Sequence, residues 1–360
     1  MNVKEVIARR MAAQFLTTKG PASAAELVRA QGAVQAQDYS GAKWALGQRI
    51  PRATDESIER EMTSGAILRT HVMRPTWHFV APEDIRWMLA LTAPRVIRVM
   101  ASYDRKLGLT SKVYARSNDV IAKALEGGKF LTRTELAEHL KRARLGVVKG
   151  QRLGHIVARA ELDAVICSGP RRGKQFTYAL LDERAPATAP RDRDDALREI
   201  TLRFFRMRGP GSVHDFAWWS GLTIGDARRA VEIAGSSLQH TTFRDRDMWF
   251  VDRALPRTTL TAHLLPNYDE YFIGYKDRGA TGERLGNVTA ITGGNALIAH
   301  VVFINGELVG GWKRIETKNR VTVRLRTIPR LSKSERTAIE TAAERFSEFL
   351  GRPVQTAWAR

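Results

Sequence analysis

The stretch Gly211–Gly235, GSVHDFAWWSGLTIGDARRAVEIAG, decides how the rest of the chain is read. Ala217 and Gly221 stand four apart, placing a small residue where two helices cross and a glycine in the turn between them. Thr223, three residues before Asp226, caps a second helix that carries Arg228 and Arg229. Two β-rich runs follow, Leu238–Phe243 and Met248–Val251, joined by Arg244-Asp245-Arg246-Asp247. The segment therefore predicts a helix-turn-helix followed by a strand pair with a charged tip. Trp218 and Trp219 are expected in its core rather than on a ligand.

The same order of elements recurs upstream, although sequence identity shows no repeat. Over about 118–181, Thr132 and Glu135 form a capping box that opens TELAEHLKR, and a further helix is predicted over Arg152–Asp163. A strand pair, Ala164–Ser168 and Gln175–Leu180, closes on the tip GPRRGK, where Arg171, Arg172 and Lys174 lie among glycines. Nearer the start come a helix over Val3–Leu16, a capped helix opened by Ser23 and Glu26, and helices over Ser40–Gln48 and Asp55–Ser64. Ile67–Val72 and Thr76–Val80, interrupted at Arg74-Pro75, form the corresponding strand pair. A helix over Ala81–Met100 joins the first group to the second, and the Pro- and Ala-rich Arg184–Asp194 separates the second from the third.

From about Thr258 the pattern changes to strand-like runs: Ala262–Leu265, Ile298–Ile304, Glu307–Trp312 and Arg320–Leu325. Asn305-Gly306 signals a two-residue hairpin turn, Thr292-Gly293-Gly294 a turn, and Ser334–Leu350 an amphipathic helix presenting Ile339, Ala342, Phe346 and Phe349. The expected fold class is α+β: three tandem winged-helix units followed by a small C-terminal β-barrel with a closing helix. The expected divisions are 1–117, 118–184, 192–257 and 258–360.

Composition narrows the partner. Lys and Arg total 58 against 38 acidic residues, a formal charge of +20, which is the footprint of a protein that meets a polyanion, and nucleic acid is the usual one. A helix N-terminus and a basic hairpin tip can grip neighbouring phosphates and grooves together, so duplex DNA is the expected partner. The candidate DNA contacts are Arg171, Arg172, Lys174, Arg228, Arg229, Arg244 and Arg246. Cys167 is the sole cysteine, which rules out an intrachain disulfide or a cysteine-based zinc site. The N-terminal stretch is charged throughout and no run of about 18 apolar residues occurs, so neither a secretory leader nor a membrane span is expected. A cytoplasmic, nucleoid-associated monomer is the expectation.

The eight histidines are scattered, with no H-x-x-x-H or H-E-x-x-H pair, and the chain lacks a P-loop and a G-x-S-x-G elbow. No metal or cofactor is expected. Two features are left. The first is Gln35-Ala36-Gln37, whose side chains share a face only if the segment is extended. Gly32, Ala33 and Ala36 around it would allow a ligand to approach closely. The second is LLPNYDEYFIGYKDR, Leu264–Arg278, where Tyr268, Asp269, Glu270 and Tyr271 form either an acidic site or, as such loops more often do, a structural tie through tyrosine hydroxyls and carboxylate caps.

Four segments, GAVQAQDYSGAKWALGQR, LRTHVMRPTWHFVAPEDIRWMLAL, LLPNYDEYFIGYKDR and VVFINGELVGGWKR, lie in order between residues 32 and 314. On them the chain resembles the winged-helix DNA-binding family of the AlkZ and YcaQ bacterial DNA glycosylases. The resemblance implies three tandem winged helices and a C-terminal β-barrel around a concave DNA channel, open enough to accept bulky adducts and crosslinks without base flipping. It also implies a catalytic motif of glutamine, an apolar residue and glutamine in the AlkZ-like branch, which falls on Gln35 and Gln37; the YcaQ-like branch ends that motif in Asp. The expected activity is a monofunctional glycosylase that releases cationic alkylated purines from duplex DNA. The alternative is a non-catalytic winged-helix DNA-binding protein or transcriptional regulator, because fold does not decide function.

Overall fold

The computed structural model of the chain describes residues 1–146, 149–257, 259–286, 299–317 and 320–359. Many of its helices begin where side chains satisfy free backbone N–H groups, although α5 (Ile85–Lys106) and α8 (Gly150–Leu162) have no side-chain cap. Reciprocal capping boxes open α4 (Asp55–Ser64) through Thr54 and Ser57, and α7 (Arg133–Arg142) through Thr132 and Glu135. Two more open α11 (Val213–Ser220) through Ser212 and Asp215, and the last helix, α15 (Lys333–Leu350), through Ser332 and Glu335. At α2 (Ala24–Gln31) the box is half made. Ser23 accepts from the Glu26 N–H, but the Glu26 carboxylate reaches the N–H of Ala22.

One order of elements then occurs three times. The first group is α2, β1 (Ala33–Gln35), α3 (Tyr39–Gly47), α4 and the hairpin β2 (Leu68–His71) and β3 (Trp77–Val80). The second is α6 (Ser111–Leu125), β4 (Leu131–Thr132), α7, α8 (Gly150–Leu162), β5 (Ile166–Ser168) and β6 (Thr177–Leu180). In the third, α10 (Arg193–Arg208), α11 and α12 (Ile224–Ala234) precede β7 (Gln239–Phe243) and β8 (Arg246–Phe250), and Gly211 bridges to Trp249 where the other groups carry a short strand. The strand order agrees as well: β1-β3-β2, β4-β6-β5, and the Gly211 bridge on β8, which pairs with β7. The long α5 (Ile85–Lys106) links the first group to the second, and the short α9 (Leu181–Arg184) ends the second.

The structure refines several expectations. The first group begins at α2, so α1 (Val3–Ala13) stands outside it. The three-residue β1 is too short to show alternation in sequence and was not foreseen. The boundary expected between 117 and 118 falls inside α6. C-terminally, β9 (Ala262–Leu265), β10 (Val301–Ile304), β11 (Glu307–Glu316), β12 (Val321–Thr327) and the unforeseen β13 (Val354–Trp358) form one sheet in the order β13-β12-β11-β10-β9. Among the described residues no pairing joins β9 to β13, so this is an open sheet and not the closed barrel expected. Asn305 and Gly306 both have positive φ, as the expected hairpin turn requires. Thr292-Gly293-Gly294 and the start of the strand run at Ile298 lie outside the described residues.

Packing shows how the parts are joined. The second group has its own core, with Ile121, Leu136, Leu140, Ile156 and Tyr178. The first group has no separate one. Val34, Trp44 and Phe79 pack with Val302, Trp312 and Phe346 of the sheet and α15, while Leu68 and Met73 join Phe204, Phe216 and Trp219 of the third group. The first group is thus wedged between the third group and the C-terminal sheet.

Candidate active site

Gln35 closes the strand β1, and the sheet pairing reaches Ala36. Ala33, Val34 and Gln35 pair with Val80, Phe79 and His78, and the Ala36 N–H continues the ladder to the Trp77 carbonyl at 2.7 Å. Asp38 caps α3, accepting from the Gly41 N–H. The strand ends at Gln35 and the backbone bends at Gln37, yet both glutamine side chains meet the same turn, Arg74–Thr76. Gln35 is buried and Gln37 exposed, so the pair runs from the interior to the surface.

One turn holds both side chains. Between β2 and β3 the backbone reverses at Met73, which has φ +64°, and Arg74-Pro75-Thr76 folds back over β1. The Arg74 Nη2 donates to Gln35 Oε1 at 2.7 Å, and the Thr76 hydroxyl donates to Gln37 Oε1 at 2.9 Å. His78 lies beside them. Its Nδ1 faces the Thr76 carbonyl at 3.0 Å, and a carbonyl only accepts, so Nδ1 carries the proton and Nε2 is an acceptor facing Arg74 Nη2 at 3.4 Å. Burial, with Arg74 next, holds the His78 pKa well below the ordinary imidazole range, so the ring is neutral at physiological pH.

The backbone of Gln35 is held from the other side. Its N–H donates to Glu270 Oε1 at 2.9 Å. Glu270 Oε2 accepts from Arg208 Nη2 at 2.8 Å, Arg208 Nε at 3.1 Å and Trp219 Nε1 at 3.0 Å. Arg208 also donates to the carbonyls of Gln31 and Ala33. Next to it, Asp269 accepts two bonds from Arg49, at 2.8 and 2.9 Å, and caps the short α13 (Glu270–Ile273). The Tyr271 hydroxyl donates to the Gly306 carbonyl and the Tyr275 hydroxyl to that of Arg208. The acidic, aromatic segment is thus a structural tie between the C-terminal part and the other groups. Trp219 is fully buried, and the Trp218 ring N–H donates to the Ile273 carbonyl, so both tryptophans serve packing.

The candidate cations have diverse surroundings. Arg171 lies over the rings of Tyr39 and Phe176, with Glu59 at 3.7 Å. Arg172 pairs with Glu135 at 2.8 Å and also donates to the Phe130 carbonyl. Arg229 grips Asp194 at 2.6 and 3.1 Å, Arg246 meets Asp277 at 2.5 Å, and Arg244 meets Glu283. Lys174 and Arg228 are exposed and have no ionic partner among the described residues. Sequence reading alone did not assign Arg74, Thr76, His78 or Arg208 to the site, and it named Glu270 only within a separate acidic feature, without linking it to Gln35. Only the quoted stretch that contains Arg74, Thr76 and His78 pointed toward those three.

Among the described residues no three of His, Cys, Asp and Glu gather as they would around a metal ion, and no helix is long and apolar enough to cross a membrane. Cys167 is buried, and burial pushes its thiol up to about 12. Residues 28–349 match the family model described as DNA glycosylase AlkZ-like. The chain belongs to this family. As an AlkZ-like member it is a DNA glycosylase, a hydrolase of N-glycosyl bonds. It is 25% identical over 333 residues to the interstrand DNA cross-link repair glycosylase of Streptomyces sahachiroi, spanning 89% of this chain and 90% of that protein. The solved structure of the Streptomyces sahachiroi DNA glycosylase AlkZ superposes with a TM-score of 0.84 at 23% identity, covering 100% of each chain, which shows that the two share a fold.

Proposed function

We propose that this AlkZ-like glycosylase excises cationic alkylated purines of the N7-alkylguanine type from duplex DNA, and that Gln35 and Gln37 are its catalytic pair. The observation that carries this reading is the clamp of the Arg74–Thr76 turn on both amide oxygens, with Gln37 at the protein surface. Two neutral amides suit this lesion. An N7-alkylated purine already carries positive charge, so it departs without being protonated. The enzyme has then to place a water beside C1′ and support an oxocarbenium-like state. The Gln37 amide has a second oxygen lone pair and two N–H donors with which to hold that water. A neutral base such as uracil leaves as an anion unless it is protonated and so needs an acid or donors aimed at the base, and neither glutamine side chain bonds to a carboxyl group among the described residues.

The threefold element and strand order supports a reading as three tandem winged-helix units, beginning at α2, α6 and α10, with the C-terminal sheet and α15 as a fourth part. Lys174 and Arg228, exposed and unpaired among the described residues, are proposed as the first phosphate contacts, and the paired arginines as groups that exchange a carboxylate for a phosphate when DNA docks. The name of the Streptomyces sahachiroi relative supports interstrand crosslinks as substrates alongside simple adducts.

The test is excision from duplex bearing N7-methylguanine, a bulky N7 adduct or a crosslink, for wild type, Gln35→Ala and Gln37→Ala. Wild type is expected to leave abasic sites, and each variant to lose about 100-fold or more in rate with duplex affinity retained. No excision of any of the three lesions, or full activity in both variants, sinks the reading.

A further inference from the structure

Arg74 has no carboxylate within salt-bridge distance among the described residues, and its guanidinium turns inward to a glutamine amide rather than outward to solvent. An arginine only donates and stays charged in proteins. The Gln35 atom that faces it is therefore the oxygen, and the amide cannot flip without placing N–H against N–H. The two hydrogens of Nη2 are both used, one by Gln35 Oε1 at 2.7 Å and one by the lone pair of His78 Nε2 at 3.4 Å. This determines how the guanidinium lies as well as how the amide lies. Gln35 Nε2 donates to nothing among the described residues, so it is the free end of a locked amide. The guanidinium charge beside its oxygen polarises the amide and strengthens those N–H donors.

The turn that carries Arg74 is itself wedged. The Met73 N–H donates to the Thr92 hydroxyl of α5 at 3.0 Å. The Met73 carbonyl lies against Gly221, where a Cβ would approach it to 2.0 Å, in the turn between α11 and α12. Gly221 also has φ +71°, so both its backbone and its surroundings call for glycine. The third group thus presses on the turn that holds the amide of Gln35, while its Trp219, through Glu270, helps to hold the backbone of the same residue.

We propose that Arg74 is a positioning residue for base excision, setting the Gln35 amide with its N–H donors toward the lesion. The proposal rests on the reading of Gln35 as catalytic. Single-turnover excision of N7-methylguanine from duplex, with duplex affinity measured separately, tests it in Arg74→Ala, Arg74→Met and Arg74→Lys. Arg74→Met fills the same space without a donor and carries the test if Arg74→Ala does not fold. The excision rate constant is expected to fall about 10- to 100-fold in the alanine and methionine variants, with Kd changed less than threefold. Arg74→Lys, which can donate but cannot serve both acceptors in one plane, is expected between them and wild type. Added guanidinium ion restores part of the rate in Arg74→Ala, and Gln35→Ala/Arg74→Ala is no slower than Gln35→Ala. Wild-type rates in Arg74→Ala and Arg74→Met beside an inactive Gln35→Ala overturn the assignment of Arg74 alone. So does a double variant in which the two losses multiply, or a loss confined to Kd. Wild-type excision by Gln35→Ala overturns instead the reading of Gln35.

Discussion

At the scale of single residues, the glutamine pair shows how identity and environment divide the work. The resemblance to the AlkZ-like glycosylases put the expected catalytic motif on Gln35 and Gln37, but sequence could not say that one would be buried and the other exposed, nor that a guanidinium would fix the amide of the first. The hydrogen-bonding partner of a side chain is a three-dimensional fact. Arg74 lies 39 positions from Gln35, and their meeting depends on a backbone reversal at Met73 that no turn signal marked beyond Arg74-Pro75. His263 offers a test at the same scale. It lies on β9, buried, with neither ring nitrogen bonded among the described residues, and burial pushes its pKa down to about 3. In the unfolded chain a histidine takes up its proton near pH 6.5, whereas the folded protein resists doing so until about pH 3. Its contribution is therefore whole above pH 6.5 and is lost as the pH falls through that window, by up to about 1.4 kcal/mol per pH unit. Denaturant titrations at pH 7, 6 and 5 are expected to show a shallower loss of stability in His263→Leu than in wild type. Parallel curves would show that His263 titrates normally in the fold.

At the scale of elements, local chemistry was most legible where it is self-contained. The capping box of Thr132 and Glu135 needs only four consecutive residues, and it forms as expected, with the Glu135 carboxyl held at about 2 by the Thr132 N–H and by Arg172. Thr132→Ala is expected to cost about 1 kcal/mol in urea denaturation, and Thr132→Ser to restore most of it. The turn at Gly221, the Thr223 cap of α12 and the core face of α15 were equally readable, because periodicity and capping act within one element. Strands were harder. β1 is three residues long, and β13 pairs in parallel with β12 through a partner more than twenty residues away. The expected basic tips were legible as sequence but not as surfaces. Arg171 lies over aromatic rings, and Arg172, although exposed, is tied to Glu135, because such partners are set by the fold and not by the local sequence.

At the scale of the whole molecule, the excess of 20 positive charges makes salt-dependent association with duplex the central expectation. The slope of log Kd against log salt counts the phosphates neutralised. Lys174→Ala and Arg228→Ala are each expected to reduce it by about 1, whereas Arg229→Ala, which also releases Asp194, is expected to change it less. Fluorescence anisotropy over a range of KCl concentrations measures this. Unchanged slopes in both Lys174→Ala and Arg228→Ala would place the DNA on another face.

The sequence by itself determined the charge, the capped helices and the helix-turn-helix at Gly211–Gly235, because each is set by composition or by residues within a few positions of one another. Only the tertiary structure decided that the first group has no core of its own, that the C-terminal strands form an open sheet among the described residues, and that Glu270 and Arg74 close on Gln35 from opposite sides. Such contacts join positions far apart in the chain. They exist only once burial has brought the third group and the acidic segment against the first, and buried polar groups have then to find partners in whichever neighbour is present.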